Sequence, residues 1–154
     1  MKIAHYIGNH DKDTPLVRAG WALTRLVQKG EFAHVTHCEA ILVEHPDGTV
    51  DIGSSSLRDG GVRVKRNVRL TAGNWIIMNV PQFCALRSAD WFARHDGSGY
   101  DTRGAFASAF PIQWSVDGRF FCNQAVGAAV GLSSPEIFGP AQFAAICKTL
   151  EVLQ

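Results

Sequence analysis

No two of the four cysteines in this chain form a CxxC pair, and that absence narrows its chemistry first. Zinc ribbons and thioredoxin-type redox sites are both built on such pairs, so neither is expected. The chain also lacks an apolar run of the roughly 18 residues that a transmembrane helix needs, so no integral membrane segment is expected. An excess of charge of either sign is lacking as well. A formal net charge of +1 gives no reason to invoke nucleic acid or a membrane surface as partner. Arg63, Lys65, Arg66 and Arg69 are the one basic concentration, and their partly alternating spacing reads as a solvated strand face. No Walker A loop, Rossmann fingerprint or EF-hand pattern occurs. No G-x-S-x-G elbow surrounds any serine, which disfavours a serine hydrolase. There is no internal repeat and no low-complexity linker. Residues Met1 to Gly8 lack the long apolar core of a signal peptide, and Asn9 to Asp13 are polar, so a cytoplasmic location is expected.

What is present is an ordinary globular composition. The chain has 154 residues, 46% hydrophobic and 19% charged, which suits one domain over residues 1–154 with a real core. Lys2 to Ile7 reads as a first strand. Asp13 or Thr14 caps a helix with Pro15 in its first position, and Gly30 ends it. Leu16, Ala19, Trp21, Leu23, Leu26 and Val27 give that helix its apolar face. Thr36 to Glu44 is the second strand, turned by Pro46-Asp47-Gly48 into a partner from Val50 through Ser54-Ser55-Ser56. Asp59-Gly60-Gly61 turns again into Val62-Arg63-Val64. Trp75 to Val80 is a further strand, stopped by Pro81. Cys84 to Arg94 reads as an amphipathic helix with Leu86, Trp91 and Phe92 toward the core, interrupted by Gly97-Ser98-Gly99. Ala105 to Phe110 is a short helix before Pro111. Cys122 to Val130 is a helix of small residues closed by Gly131, and Pro140 to Leu153 is the last helix. This order of strands and helices argues an α+β fold.

Two elements carry the parts of a cysteine nucleophile. Cys122 stands between the strand-like Phe120-Phe121 and a helix, where the helix dipole and free N–H groups favour a thiolate. His37 stands on a strand. Side chains two apart share a strand face, so His37 and Glu39 point together and Cys38 points opposite. A carboxylate beside an imidazole orients it and stabilises the imidazolium, the third member of a nucleophile-base-orienter set. A buried structural cysteine and a solvated polar strand face are the plain alternatives. His34, His37 and Glu39 have the side-chain types of a metal site, but His34 is out of phase and no second ligand cluster appears, so no metal is expected. His5, His10, His45 and His95 belong to no motif and read as surface or loop residues. Ser54, Ser55 and Ser56 return beside the His37 strand and either hydrogen-bond the site or form an exposed turn. A phenol at Tyr100, after a glycine-rich turn, is an oxyanion donor or an ordinary half-buried tyrosine.

Thr36-His37-Cys38-Glu39, the segment Ser54-Ser55-Ser56-Leu57-Arg58-Asp59-Gly60-Gly61-Val62-Arg63, Tyr100-Asp101 with Gly104, and Phe121-Cys122-Asn123-Gln124-Ala125-Val126 occur in an order that resembles the circularly permuted NlpC/P60 group of papain-like cysteine hydrolases. The likeness is to the YiiX-like branch and its small phage- or prophage-encoded members, and it spans most of the chain. In that branch the histidine strand comes first and the cysteine late, as here. The resemblance implies a papain-like fold, an antiparallel sheet or small barrel packed against helices. It implies Cys122 as nucleophile, His37 as general base and Tyr100 as an oxyanion contributor, with no metal or organic cofactor. The orienting residue varies in the superfamily. Glu39 is the first choice, with Asp51, Ser54, Ser55 and Ser56 as alternatives. The family usually has Ser-Glu after the cysteine, whereas this chain has Asn123-Gln124 and so lacks that carboxylate.

The implied activity is hydrolysis or acyl transfer at an amide, ester or thioester. A peptidoglycan-type peptide or amino-acyl amide is the first expected substrate and a lipid acyl group the second. A cell-wall substrate would require delivery by a phage particle or release at lysis. The rival expectation is a non-catalytic phage accessory or ligand-binding protein on the same fold, and the oligomeric state is open.

Overall fold

Period-two alternation and glycine turns build the sheet, and small-residue helices cover it. A computed structural model describes residues 1–9, 14–108, 110 and 114–153, with the side chains of Leu16 and Val17 also outside it. The elements are β1 (Lys2–Tyr6), α1 (Pro15–Val27), β2 (His37–Glu44), β3 (Val50–Ser56), β4 (Gly61–Val68), β5 (Trp75–Asn79) and α2 (Phe83–His95). They continue with β6 (Gly99–Tyr100), α3 (Thr102–Ala107), β7 (Arg119–Phe120), α4 (Cys122–Val130) and α5 (Pro140–Val152). The expected Asp13 cap, the Pro111 stop, the Leu16 side chain and His10 lie outside the described residues.

The fold is α+β. Seven strands in the order β5-β1-β2-β3-β4-β6-β7 form one curled, half-barrel sheet packed against helices. Neighbouring strands are antiparallel except β6 and β7, which run parallel with Tyr100 beside Phe120. The sheet is therefore mixed, where an antiparallel one was expected. The chain leaves β6 through α3 and returns to lay β7 alongside in the same direction. The segment Gly97-Ser98-Gly99 does more than end α2, because Gly99 pairs with Gly61. Val62 N–H donates to the Ser98 carbonyl at 2.8 Å, and Gly97 N–H to the Val62 carbonyl at 3.0 Å. Gly61 has φ of 151°, and a Cβ there would run into the Ser98 carbonyl, so this junction accepts no larger residue.

One face of the sheet carries Ile3, Cys38, Ala40 and Val62 against Phe92 of α2, Val126 of α4 and Phe143 of α5. The other face holds Ala4, Ile41, Val50 and Ile52 with Trp75. Small residues let α4 approach β2, β3 and α2 closely. Gly131 ends α4 in the left-handed conformation, φ 98°, with its N–H on the Gly127 carbonyl at 3.1 Å.

Three core expectations are corrected. Leu86 is 85% exposed, because α2 buries Cys84, Ser88, Trp91 and Phe92 and Leu86 lies off that stripe. Leu26 is likewise exposed on α1. His5, expected at the surface, is fully buried in β1 with its ring 5.8 Å from that of Phe143. Helix α3 starts at Thr102 instead of Ala105, because the Asp101 carboxylate accepts from Gly104 N–H at 2.8 Å and caps it. Among the described residues no helix is long and apolar enough to cross a membrane.

Candidate active site

The first residue of β2 and the first residue of α4 meet at the end of the sheet. Phe121 is extended at φ −94° and ψ 172°, and the helix begins at Cys122. Gln124 Oε1 accepts from the Phe121 N–H at 3.4 Å, so an uncharged side chain caps the helix where the resembled family has glutamate. The N–H groups of the first turn have no intrahelical acceptors, as at any helix start. On the other element, Gln28 holds the approach to β2. Its Nε2 donates to the Val35 carbonyl at 2.9 Å, and its Oε1 accepts from Ala141 N–H at 2.7 Å.

His37 and Cys122 face each other closely enough for their charges to interact. The Nε2 of His37 lies 2.9 Å from Glu39 Oε1, which leaves Nδ1 as the nitrogen for the thiol. Burial alone would push the imidazole down. The facing Cys122 thiolate and the Glu39 carboxylate outweigh it and hold His37 at about 9. Cys122 is held well below the ordinary thiol range, first by the hydrogen bond from the Cys38 thiol and then, against burial, by His37 and the Cys38 N–H. The favoured state is therefore a thiolate facing an imidazolium.

Arg63 completes the row. Its Nη1 and Nη2 donate to Glu39 Oε2 and Oε1 at 3.0 and 2.8 Å, a bidentate fork. Its Nε donates to Asp59 Oδ2 at 2.7 Å, and Lys65 Nζ reaches Asp59 Oδ1 at 2.8 Å. Burial would raise the Glu39 carboxyl, but His37 and Arg63 hold it at about 2. The expectation of a solvated basic strand is thus corrected for Arg63, whose side chain is only 14% exposed. Arg63→Met should lower the unfolding free energy by about 3 kcal/mol, because it strands a buried carboxylate. Urea unfolding measures this, and Arg63→Lys, which keeps charge without the fork, should lose less.

The alternative orienting residues fall elsewhere. Asp51 Oδ1 pairs with His45 Nε2 at 2.8 Å and accepts from Asn67 N–H at 3.0 Å, at the far end of the β2–β3 hairpin. It does not meet His37, and His45, read as a plain loop residue, is its partner. Ser54 Oγ donates to the Cys38 carbonyl at 2.7 Å, and Ser55 Oγ donates to the Phe120 carbonyl. These two hydroxyls brace the backbone beside His37 and Cys122 without touching the imidazole. Ser56 is half-buried at the end of β3. Tyr100 lies beside Phe120 in the sheet, near enough that, after burial, the Cys122 charge is the next cause raising its phenol. His34 is exposed in the turn before β2. Among the described residues no three His, Cys, Asp or Glu side chains gather as a metal site.

Sequence reading missed three site residues. Arg63 carried a signal in its Asp59-x-x-x-Arg63 spacing within a strand turn. Asn123 Oδ1 lies 3.4 Å from Cys122 Sγ, as an acceptor for the sulfur when it is protonated, and Nδ2 donates to the Phe138 carbonyl at 3.3 Å. Cys38, turned away from His37 as expected, faces α4 and reaches the same Asn123 oxygen at 3.1 Å. No protein-family model, no curated protein and no solved structure matches the chain.

Proposed function

We propose that the protein is a cysteine hydrolase or acyltransferase of the permuted NlpC/P60 kind, on a papain-like arrangement of its α+β fold, acting on an amide, ester or thioester. The observation that carries this is the position of His37, which feels the Cys122 charge and has its Nε2 on Glu39, itself clamped by Arg63. In this mechanism the Cys122 thiolate attacks the substrate carbonyl, and the oxyanion is met by N–H groups of the first turn of α4 together with the Tyr100 hydroxyl. The His37 imidazolium gives its proton to the leaving amine, alcohol or thiol. His37, now neutral, takes a proton from water as it attacks the thioester, and the acid leaves as Cys122 is regenerated. Glu39 orients the ring throughout and stabilises its charged form. A peptidoglycan-type peptide or amino-acyl amide is the first substrate class and a lipid acyl group the second, both from the resemblance.

The test is alkylation of the native protein by iodoacetamide across pH, with each cysteine followed by peptide mapping. Cys122 should react on a plateau that extends well below neutral pH, while Cys84 and Cys147, whose thiols burial pushes up, stay inert. A Cys122 rate that climbs tenfold per pH unit up to about 8.5, as for a free thiol, rejects the activated nucleophile.

A further inference from the structure

Hydrolysis needs one thiol, and this site holds two. β2 turns Cys38 toward α4, where it is completely buried in the same core cluster as Cys122. Asn123 Oδ1 accepts from Cys38 Sγ at 3.1 Å and lies 3.4 Å from Cys122 Sγ, so both sulfurs gather around one side-chain oxygen. All four cysteines are free. The other two are placed differently: Cys84 donates to the Val130 carbonyl at 3.7 Å, and Cys147 lies on α5. Asn123 therefore gathers the reactive sulfur and one neighbour, and the Asn123 amide is itself tied to the Phe138 carbonyl.

We propose that Cys38 is a resolving thiol, and that Cys38 and Cys122 form a reversible disulfide when the site meets a peroxide. The inference rests on Cys122 being the activated thiolate of the proposed hydrolase. In the first step the Cys122 sulfur attacks one peroxide oxygen. The S–O bond forms, the O–O bond breaks, and the peroxide's other oxygen leaves as hydroxide, so sulfur is oxidised and peroxide reduced by two electrons. In the second step the Cys38 sulfur attacks the sulfenic sulfur. The S–S bond forms, the S–O bond breaks, and the departing hydroxyl takes the Cys38 proton and leaves as water. The disulfide removes the nucleophile and stops it short of irreversible sulfinic acid, and exchange with an external thiol restores both groups.

The experiment treats the native protein with hydrogen peroxide and then maps its peptides without reduction. The expected result is one cross-link, Cys38 to Cys122, with loss of two hydrogens. Cys122 alkylation then falls to background and returns to its starting level after dithiothreitol. Cys38→Ser keeps a hydrogen-bonding group at the position and should give no cross-link and sulfinic acid on Cys122. If that variant does not fold, the wild-type map alone decides. Sulfinic acid on wild-type Cys122 with Cys38 still free overturns the proposal, as does a cross-link that joins any other pair. Alkylation of untreated protein separates the two ideas. Fast Cys122 alkylation with sulfinic acid as the peroxide product sinks only the resolving thiol. Slow alkylation with no cross-link sinks both.

Discussion

His37→Ala should slow Cys122 alkylation by at least about tenfold at acid pH while sparing it at alkaline pH. In the wild type, Cys122 is held well below the ordinary thiol range first by the Cys38 thiol and then, against burial, by its His37 counter-charge. Without the imidazolium, burial in the core pushes the sulfur back up. A thiol near 8.5 is only about 0.1% ionised at pH 5.5. Part of that loss returns, because a more basic thiolate is intrinsically more nucleophilic by about 0.4–0.5 log units per pKa unit. The net expectation is alkylation at least about tenfold slower than wild type at pH 5.5, converging near pH 9.5. Hydrolysis should fall further, by about 100- to 10,000-fold, since the leaving group loses its proton donor. Glu39→Gln tests the other side of the ring. It removes a charge that raises His37 to about 9, so the alkaline limit of turnover should move down toward the ordinary imidazole value of 6.5. Equal acid-pH rates in wild type and His37→Ala would remove His37 from the site.

The parts of the site visible from sequence are those set by local periodicity. His37 and Glu39 are two apart on a strand, and they share a face because the strand period is two. Cys122 follows an extended pair and precedes small residues, so a helix start could be read there. Arg63 could not be assigned to Glu39 in the same way. That pairing depends on the register of two hairpins, in which Ser54 pairs with Arg63 and Ala40 with Gly53. The β2–β3 and β3–β4 ladders each contain a bulge, and a bulge shifts every later partner. Cys38 was phased correctly, but only the docking of α4 decides that this opposite face meets Asn123. The short strands β6 and β7 have two residues each, too few for any alternation to show. His5 sits in a segment read as a strand, yet a lone histidine carries no sign of whether α5 will cover it.

His5→Leu should stabilise the protein, and by more in acid than at neutral pH. Among the described residues neither ring nitrogen of His5 has a hydrogen-bond partner. Burial first, and the nearby His37 charge second, lower His5 to about 4. An unsatisfied buried polar group costs about 1–3 kcal/mol, so an aliphatic side chain of similar volume should raise stability by about that much at pH 7. The pH dependence follows from proton counting. Between about 6.5 and 9 the folded thiolate-imidazolium pair holds one proton, and the unfolded thiol and neutral imidazole also hold one, so this pair contributes a flat region. Below 6.5 the unfolded chain binds a proton on each imidazole. Folded His5 refuses one until about 4, so its contribution is present above 6.5 and is lost as pH falls toward 4. Glu39, at about 2 when folded against 4.5 when free, loses its own contribution lower still. One pKa unit is worth about 1.4 kcal/mol, so at pH 4.5 the advantage of His5→Leu should widen by about 2–3 kcal/mol. Urea midpoints of the two proteins at pH 7 and pH 4.5 measure both terms. A variant less stable than wild type at pH 7 would mean that the His5 ring makes a bond in solution, and an advantage unchanged at pH 4.5 would mean that folded His5 takes up its proton normally.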